Sequence, residues 1–94
     1  MMELCLLAVD DESLALSDLT AALQAAEPAA AAHAYTDPTK APEAARTGEI
    51  LPDIAFLDIQ MRGWTGLDLA LELKKTIPAL EIIFVTAYSQ YALE

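Results

Sequence analysis

Acidic residues stand where short apolar runs of this sequence end. Leu4-Cys5-Leu6-Leu7-Ala8-Val9 runs into Asp10-Asp11-Glu12, and Ile54-Ala55-Phe56-Leu57 runs into Asp58. A third run, Ile82-Ile83-Phe84-Val85, meets the hydroxyl of Thr86. Carboxylates gathered at strand ends repel one another and stay ionised together only around a cation. Their hard oxygens suit Mg²⁺, which keeps several waters and can hold a phosphate at the same time. One carboxylate could then attack a phosphoryl donor and become an aspartyl phosphate, with the cation neutralising the transferring oxygens. A hydroxyl such as that of Thr86 could donate a hydrogen bond to the product.

Each of these residues also has a plainer reading. Asp11 or Glu12 could only cap a helix, Asp58 could be a turn residue, and Thr86 could be an ordinary strand residue. The plainer readings weaken because the sites fall together at matching strand ends.

For the sites to meet, the apolar runs must lie side by side. The first run and the run ending at Asp58 are continuously apolar, as strands buried on both faces are. Between them, Leu16, Leu19 and Leu23 recur at helical spacing over residues 12–26, and Pro28 lies just beyond. Residues 30–35 form a weaker strand signal, because alanine has low strand preference. Asp37-Pro38 opens a second helix running to about residue 47, with Gly48 as its stop and Pro42 in its first turns. Thr65 caps a third helix over residues 66–76, with Lys74 and Lys75 near its negative end. A strand follows over 80–86, and residues 89–94 open a fourth helix. Strand and helix alternate throughout, which predicts an α/β fold: a doubly wound parallel sheet with helices on both faces. In such sheets the ligand site lies beyond the carboxyl ends of the strands, where the acids stand.

Composition narrows the function. The net charge of −10 repels phosphate backbones and predicts no direct nucleic-acid binding by this segment. No apolar run reaches the ~18 residues of a membrane span, and the N-terminus lacks the basic lead of a signal peptide. The single cysteine, Cys5, has no internal disulfide partner, so a reducing, cytoplasmic setting is expected. Cys5 reads as a small hydrophobe, and His33 as a structural or surface residue.

Four motifs together carry a resemblance. Val9-Asp10-Asp11-Glu12, Pro52-Asp53-Ile54-Ala55-Phe56-Leu57-Asp58-Ile59-Gln60-Met61, Gly66-Leu67-Asp68-Leu69 and Ile82-Ile83-Phe84-Val85-Thr86-Ala87-Tyr88 closely resemble receiver domains of two-component response regulators. The ending Thr86-Ala87-Tyr88-Ser89-Gln90-Tyr91-Ala92-Leu93-Glu94 looks most like the LytTR-type branch. The resemblance implies a flavodoxin-like fold with strand order 2-1-3-4 in this segment and Asp58 as phosphoacceptor. It implies Mg²⁺ held by Asp10, Asp11, Asp58 and the backbone carbonyl of Gln60. Thr86 matches the switch hydroxyl and Ala87 the small residue that leaves the phosphoryl pocket open. Gln60 and Tyr88 match positions that tune how fast the phosphate is lost. The implied partner is a sensor histidine kinase, and the implied role is signal relay in transcription regulation, a DNA-binding domain normally following in this branch.

Two features depart from the family pattern. Receivers commonly have proline where this chain has Arg62, so Arg62-Gly63-Trp64 is expected to be a flexible, charged and aromatic exposed loop. The family also has a fifth strand, carrying a lysine that pairs with the phosphoryl group, and a fifth helix. Residues 1–94 read as a receiver that ends in the fourth helix without them. The fourth strand would then be an edge and invite a homo-oligomer through that strand or the fourth-helix region. Three hypotheses follow: a phosphoacceptor receiver, a receiver-derived fragment that assembles without taking phosphate, and an aspartyl phosphatase. Such phosphatases usually carry a second acid two residues after the nucleophile, where this chain has Gln60, so no multiple-turnover activity is expected.

Overall fold

The computed structural model describes residues 3–85. The expected fourth helix at 89–94 lies outside them. In chain order the elements are β1 (Cys5–Val9), α1 (Ser13–Ala26), β2 (Ala31–Tyr35), α2 (Lys40–Arg46), β3 (Ile54–Asp58), β4 (Gln60–Met61), β5 (Trp64–Thr65), α3 (Gly66–Thr76) and β6 (Glu81–Val85). Four strands form one parallel sheet in the order β2-β1-β3-β6. This is the expected 2-1-3-4 order, with β6 as fourth strand of the sheet.

Side chains alternate across a strand, and the two faces are covered by different helices. Leu7 and Val9 of β1, with Ala55 and Leu57 of β3, share one buried cluster with Ala41, Ala44 and Ala45 of α2 and Leu69 and Leu73 of α3. Of the elements around it, α2 packs chiefly against α3. On the other face α1 packs against β1 and β2, burying Leu16 together with Leu6 and Ala8 of β1.

Helix starts differ in how far they follow the sequence signals. Thr65 caps α3 as expected, its hydroxyl accepting the N–H of Asp68 at 3.1 Å, and the Asp68 carboxylate returns to the N–H of Thr65 at 3.4 Å. This reciprocal box satisfies two otherwise orphaned donors. The second helix begins later than Asp37-Pro38 suggested. The Asp37 carboxylate instead takes the hydroxyl and N–H of Thr39, at 2.7 and 3.0 Å, in a tight turn, and Lys40 is the first helical residue. Those two bonds, hydroxyl first, hold the Asp37 carboxyl below the usual range. Pro42 then falls in the first turn, where its missing N–H breaks no helical bond.

Residues 60–65 correct the expectation of a flexible loop. They form a small antiparallel hairpin in which Gln60 pairs with Thr65 and Met61 with Trp64. Gly63 takes the turn at φ +76°, a backbone region that side chains disfavour, while Met61 and Trp64 pack against the core. The Arg62 side chain itself is exposed.

Candidate functional site

Strand register brings the acids together. Val9 is the partner of Leu57 across β1 and β3, so the next residues, Asp10 and Asp58, emerge side by side at the carboxyl edge. Asp11 follows on the loop to α1. One carboxylate oxygen from each of Asp10, Asp11 and Asp58 lies within 4.8 Å of the others. The three open into a cleft of about 490 Å³ that Glu12, Gln60, Met61 and Arg62 also line.

The hydrogen bonds answer the capping alternative. Neither Asp11 nor Glu12 caps α1: Glu12 stands at the N-cap without a side-chain cap bond, and Asp11 Oδ2 accepts the N–H of Arg62 at 2.9 Å. Asp10 is fixed at both ends, its N–H donating to Tyr35 O at 3.2 Å and its Oδ1 accepting the N–H of Glu12 at 2.9 Å. It is also the only buried charged side chain among the described residues. Burial pushes the Asp58 carboxyl above the usual carboxylate range, and the neighbouring Asp10 and, less strongly, Asp11 push the same way. The backbone N–H groups of Gln60 and Ile59 oppose them only in part.

Gly66, part of the Gly66-Leu67-Asp68-Leu69 motif, is a positioning residue that the motif alone does not reveal. A Cβ on it would run into the backbone carbonyl of Asp58 and come within 3.1 Å of Ile59 Cα. The first turn of α3 therefore lies directly on the chain that carries the acid, joined to it by Gly66 N–H to Ile59 O at 2.8 Å. A glycine immediately after a helix-capping threonine was the available signal.

The structure thus gathers Asp10, Asp11, Asp58 and Gln60 at one cleft. Thr86, Ala87 and Tyr88 lie outside the described residues. Cys5 is half-buried, and His33 pairs with Leu7 within the sheet, away from the acidic edge. Among the described residues no helix is long and apolar enough to cross a membrane.

Comparison with known proteins adds a second kind of evidence. The family described as Response regulator receiver domain matches residues 6–94. Sensory transduction protein LytT of Enterococcus faecalis is 38% identical over 88 residues, which are 94% of this chain and 36% of that protein. LytT of Bacillus subtilis is 49% identical over 43 residues, 46% of this chain and 18% of that protein. This chain therefore spans well under two thirds of the length of these relatives. Among solved structures, response regulator protein TrrA from Thermotoga maritima, in complex with Mg(2+)-BeF, aligns with a TM-score of 0.76 at 30% identity, covering 99% of this chain and 76% of that one. A response regulator receiver domain protein from Clostridium thermocellum aligns with a TM-score of 0.78 over 95% of this chain and 70% of its own, at 21% identity, a likeness of fold.

Proposed function

This chain belongs to the Response regulator receiver domain family, and on that footing we propose that it takes a phosphoryl group on Asp58 and relays a two-component signal by changing shape. The observation that carries the reading is the convergence of Asp10, Asp11 and Asp58, with an oxygen of each within 4.8 Å. Three hard oxygen donors at that spacing fit Mg²⁺ and not a soft metal. Asp10, Asp11, Asp58 and the Gln60 carbonyl would hold it. When bound, the ion supplies the positive charge that offsets the carboxylate repulsion and neutralises the phosphoryl oxygens.

The chain's own part is nucleophilic. An oxygen of Asp58 attacks phosphorus and a P–O bond forms, while the P–N bond of a phosphohistidine on a sensor histidine kinase breaks. The electron pair leaves with the imidazole, which takes up a proton. Asp10, buried and hydrogen-bonded at both ends, keeps the cleft in shape during transfer. Thr86 supplies the hydroxyl that turns to the product, Ala87 leaves room for it, and Gln60 and Tyr88 set its lifetime. Gln60 offers no second acid, so the aspartyl phosphate marks a signalling state and not a turnover cycle. The transfer takes place in the cytoplasm, and this segment does not itself bind nucleic acid, its excess negative charge repelling phosphate backbones.

Intact mass after incubation with acetyl phosphate and Mg²⁺ tests this. The parent chain gains one phosphoryl group, and Asp58→Asn or added chelator gives none. A folded parent that gains nothing sinks the reading. A second reading, a receiver-derived piece that assembles through a sheet edge, rests on β6, which has a strand on one side only among the described residues. Ile83 and Phe84 on that strand are 44% and 40% exposed.

A further inference from the structure

The Asp11 carboxylate is already engaged by a neighbour. Its Oδ2 accepts the N–H of Arg62 at 2.9 Å, and Nε of the same arginine stands 3.9 Å from the same oxygen. Arg62 is the only cationic side chain lining the cleft among the described residues. It occupies the first position of the turn between β4 and β5, with Gly63 taking the left-handed second position at φ +76°. The hairpin therefore holds both a donor and a positive charge against one member of the acid cluster.

We propose that Arg62 is the built-in counter-ion of this cluster: it holds Asp11 before a cation arrives and so sets how tightly the cleft binds Mg²⁺. The inference rests on the reading of Asp10, Asp11 and Asp58 as the cation site. A positive charge beside Asp11 opposes the approach of a second one, and Oδ2 must be shared between the Arg62 N–H and the incoming ion. The Arg62 side chain is 92% exposed, so it can swing aside without loss of packing. Solvent screens such a pair and limits the effect to a small factor. Arg62 acts through Asp11 and is a positioning residue.

The test is a MgCl₂ titration of the full chain, by equilibrium dialysis and by fluorescence of Trp64, the single tryptophan. Three variants accompany the parent. Arg62→Ala removes the guanidinium and keeps the N–H; it binds Mg²⁺ about two- to fivefold more tightly than the parent. Arg62→Pro removes the N–H as well, at a turn position whose negative φ suits proline, and binds at least as tightly as Arg62→Ala. Arg62→Lys restores the charge and returns the affinity toward the parent's. Raising KCl from roughly 0.05 to 0.5 M narrows the gap between parent and Arg62→Ala. A parent that binds Mg²⁺ beside variants that bind it equally or more weakly overturns the inference alone. The same holds if Arg62→Lys behaves as Arg62→Ala. A parent that takes up no Mg²⁺ by either method overturns the reading of the site, and the inference falls with it.

Discussion

Asp58 has to carry charge beside Asp10 and Asp11, and its surroundings resist that. Burial is the larger cause of its raised carboxyl pKa, and Asp10 adds to it. The sign of the consequence for stability is fixed by linkage. Between the ordinary value of 3.8 and the raised one, the folded chain binds more protons than the unfolded chain. Stability therefore falls as pH rises through that window and stays lowered above it. Replacing the acid by a neutral amide of the same shape removes the penalty at neutral pH. In chelator at pH 7, Asp58→Asn is expected to melt higher than the parent. A screened effect of about 0.5 kcal/mol corresponds to roughly 2–4 °C for a domain of this size. The gain shrinks as pH is lowered through the raised value and vanishes below 3.8, where the parent's own carboxyl is protonated in both states. With Mg²⁺ the order is expected to reverse, since an ion held by Asp58 stabilises the folded parent more than the variant. Melting curves with and without Mg²⁺ between about pH 4 and pH 7 check all of this. A variant that melts lower than the parent in chelator at pH 7 would show that the charge is not held against a cost.

The acid's position, as distinct from its charge, is set by the elements around it. The end of β3 and the start of α3 meet at Gly66, where no side chain fits against the Asp58 carbonyl. Gly66→Ala must push the helix or the strand end away. Overpacking of this kind costs about 1–3 kcal/mol, and the displaced backbone carries Asp58 with it. Both a lower melting temperature and slower phosphoryl uptake are expected; uptake at the parent's rate in the folded variant would mean that the cleft tolerates the shift. Much of this arrangement was legible beforehand. Continuous apolar runs ending in acid gave β1 and β3, and the leucine spacing gave α1. Thr65 with Lys74 and Lys75 gave both ends of α3. The 60–65 hairpin was not legible, because two-residue strands are too short to show a period and Arg62-Gly63 is not one of the usual hairpin turn pairs. Its anchor, Asp11 to the Arg62 N–H, joins residues far apart in sequence, which no local pattern reveals. The Asp68 half of the capping box was available as a threonine followed three residues later by an acid. The late start of α2 had a local cause in the Asp37 side chain, which completes a turn of its own before the helix begins.

At the scale of the whole molecule, the sheet is covered unevenly. Register sets Ala8 beside Phe56 and Phe56 beside Ile83, all on the face that α1 covers over β1 and β2. Burial fades across that row: Ala8 is buried, Phe56 half-buried, and Ile83 is 44% exposed. On the opposite face Ile82 still reaches the core cluster, but Phe84, the partner of Leu57 on that face, is 40% exposed, so the exposure belongs to the outer strand on both faces. Among the described residues β6 has a strand on one side only, and an edge of that kind with apolar side chains beside it favours addition of another strand. The 10 excess negative charges resist close approach of two copies, and salt weakens that resistance. Self-association is therefore expected to rise with both protein concentration and salt. Light scattering on a sizing column over about 5–200 µM is expected to show a mass above that of one chain, increasing with NaCl between roughly 0.05 and 0.5 M. Ile83→Lys places a solvated charge on the exposed part of the row and blocks the edge, a device natural sheets use against such pairing. It should return the mass to that of one chain while leaving phosphoryl uptake by Asp58 intact, since Ile83 does not line the acidic cleft. A parent that stays monomeric across these conditions would remove the edge-pairing reading and leave the phosphoacceptor reading untouched, because the two depend on different residues.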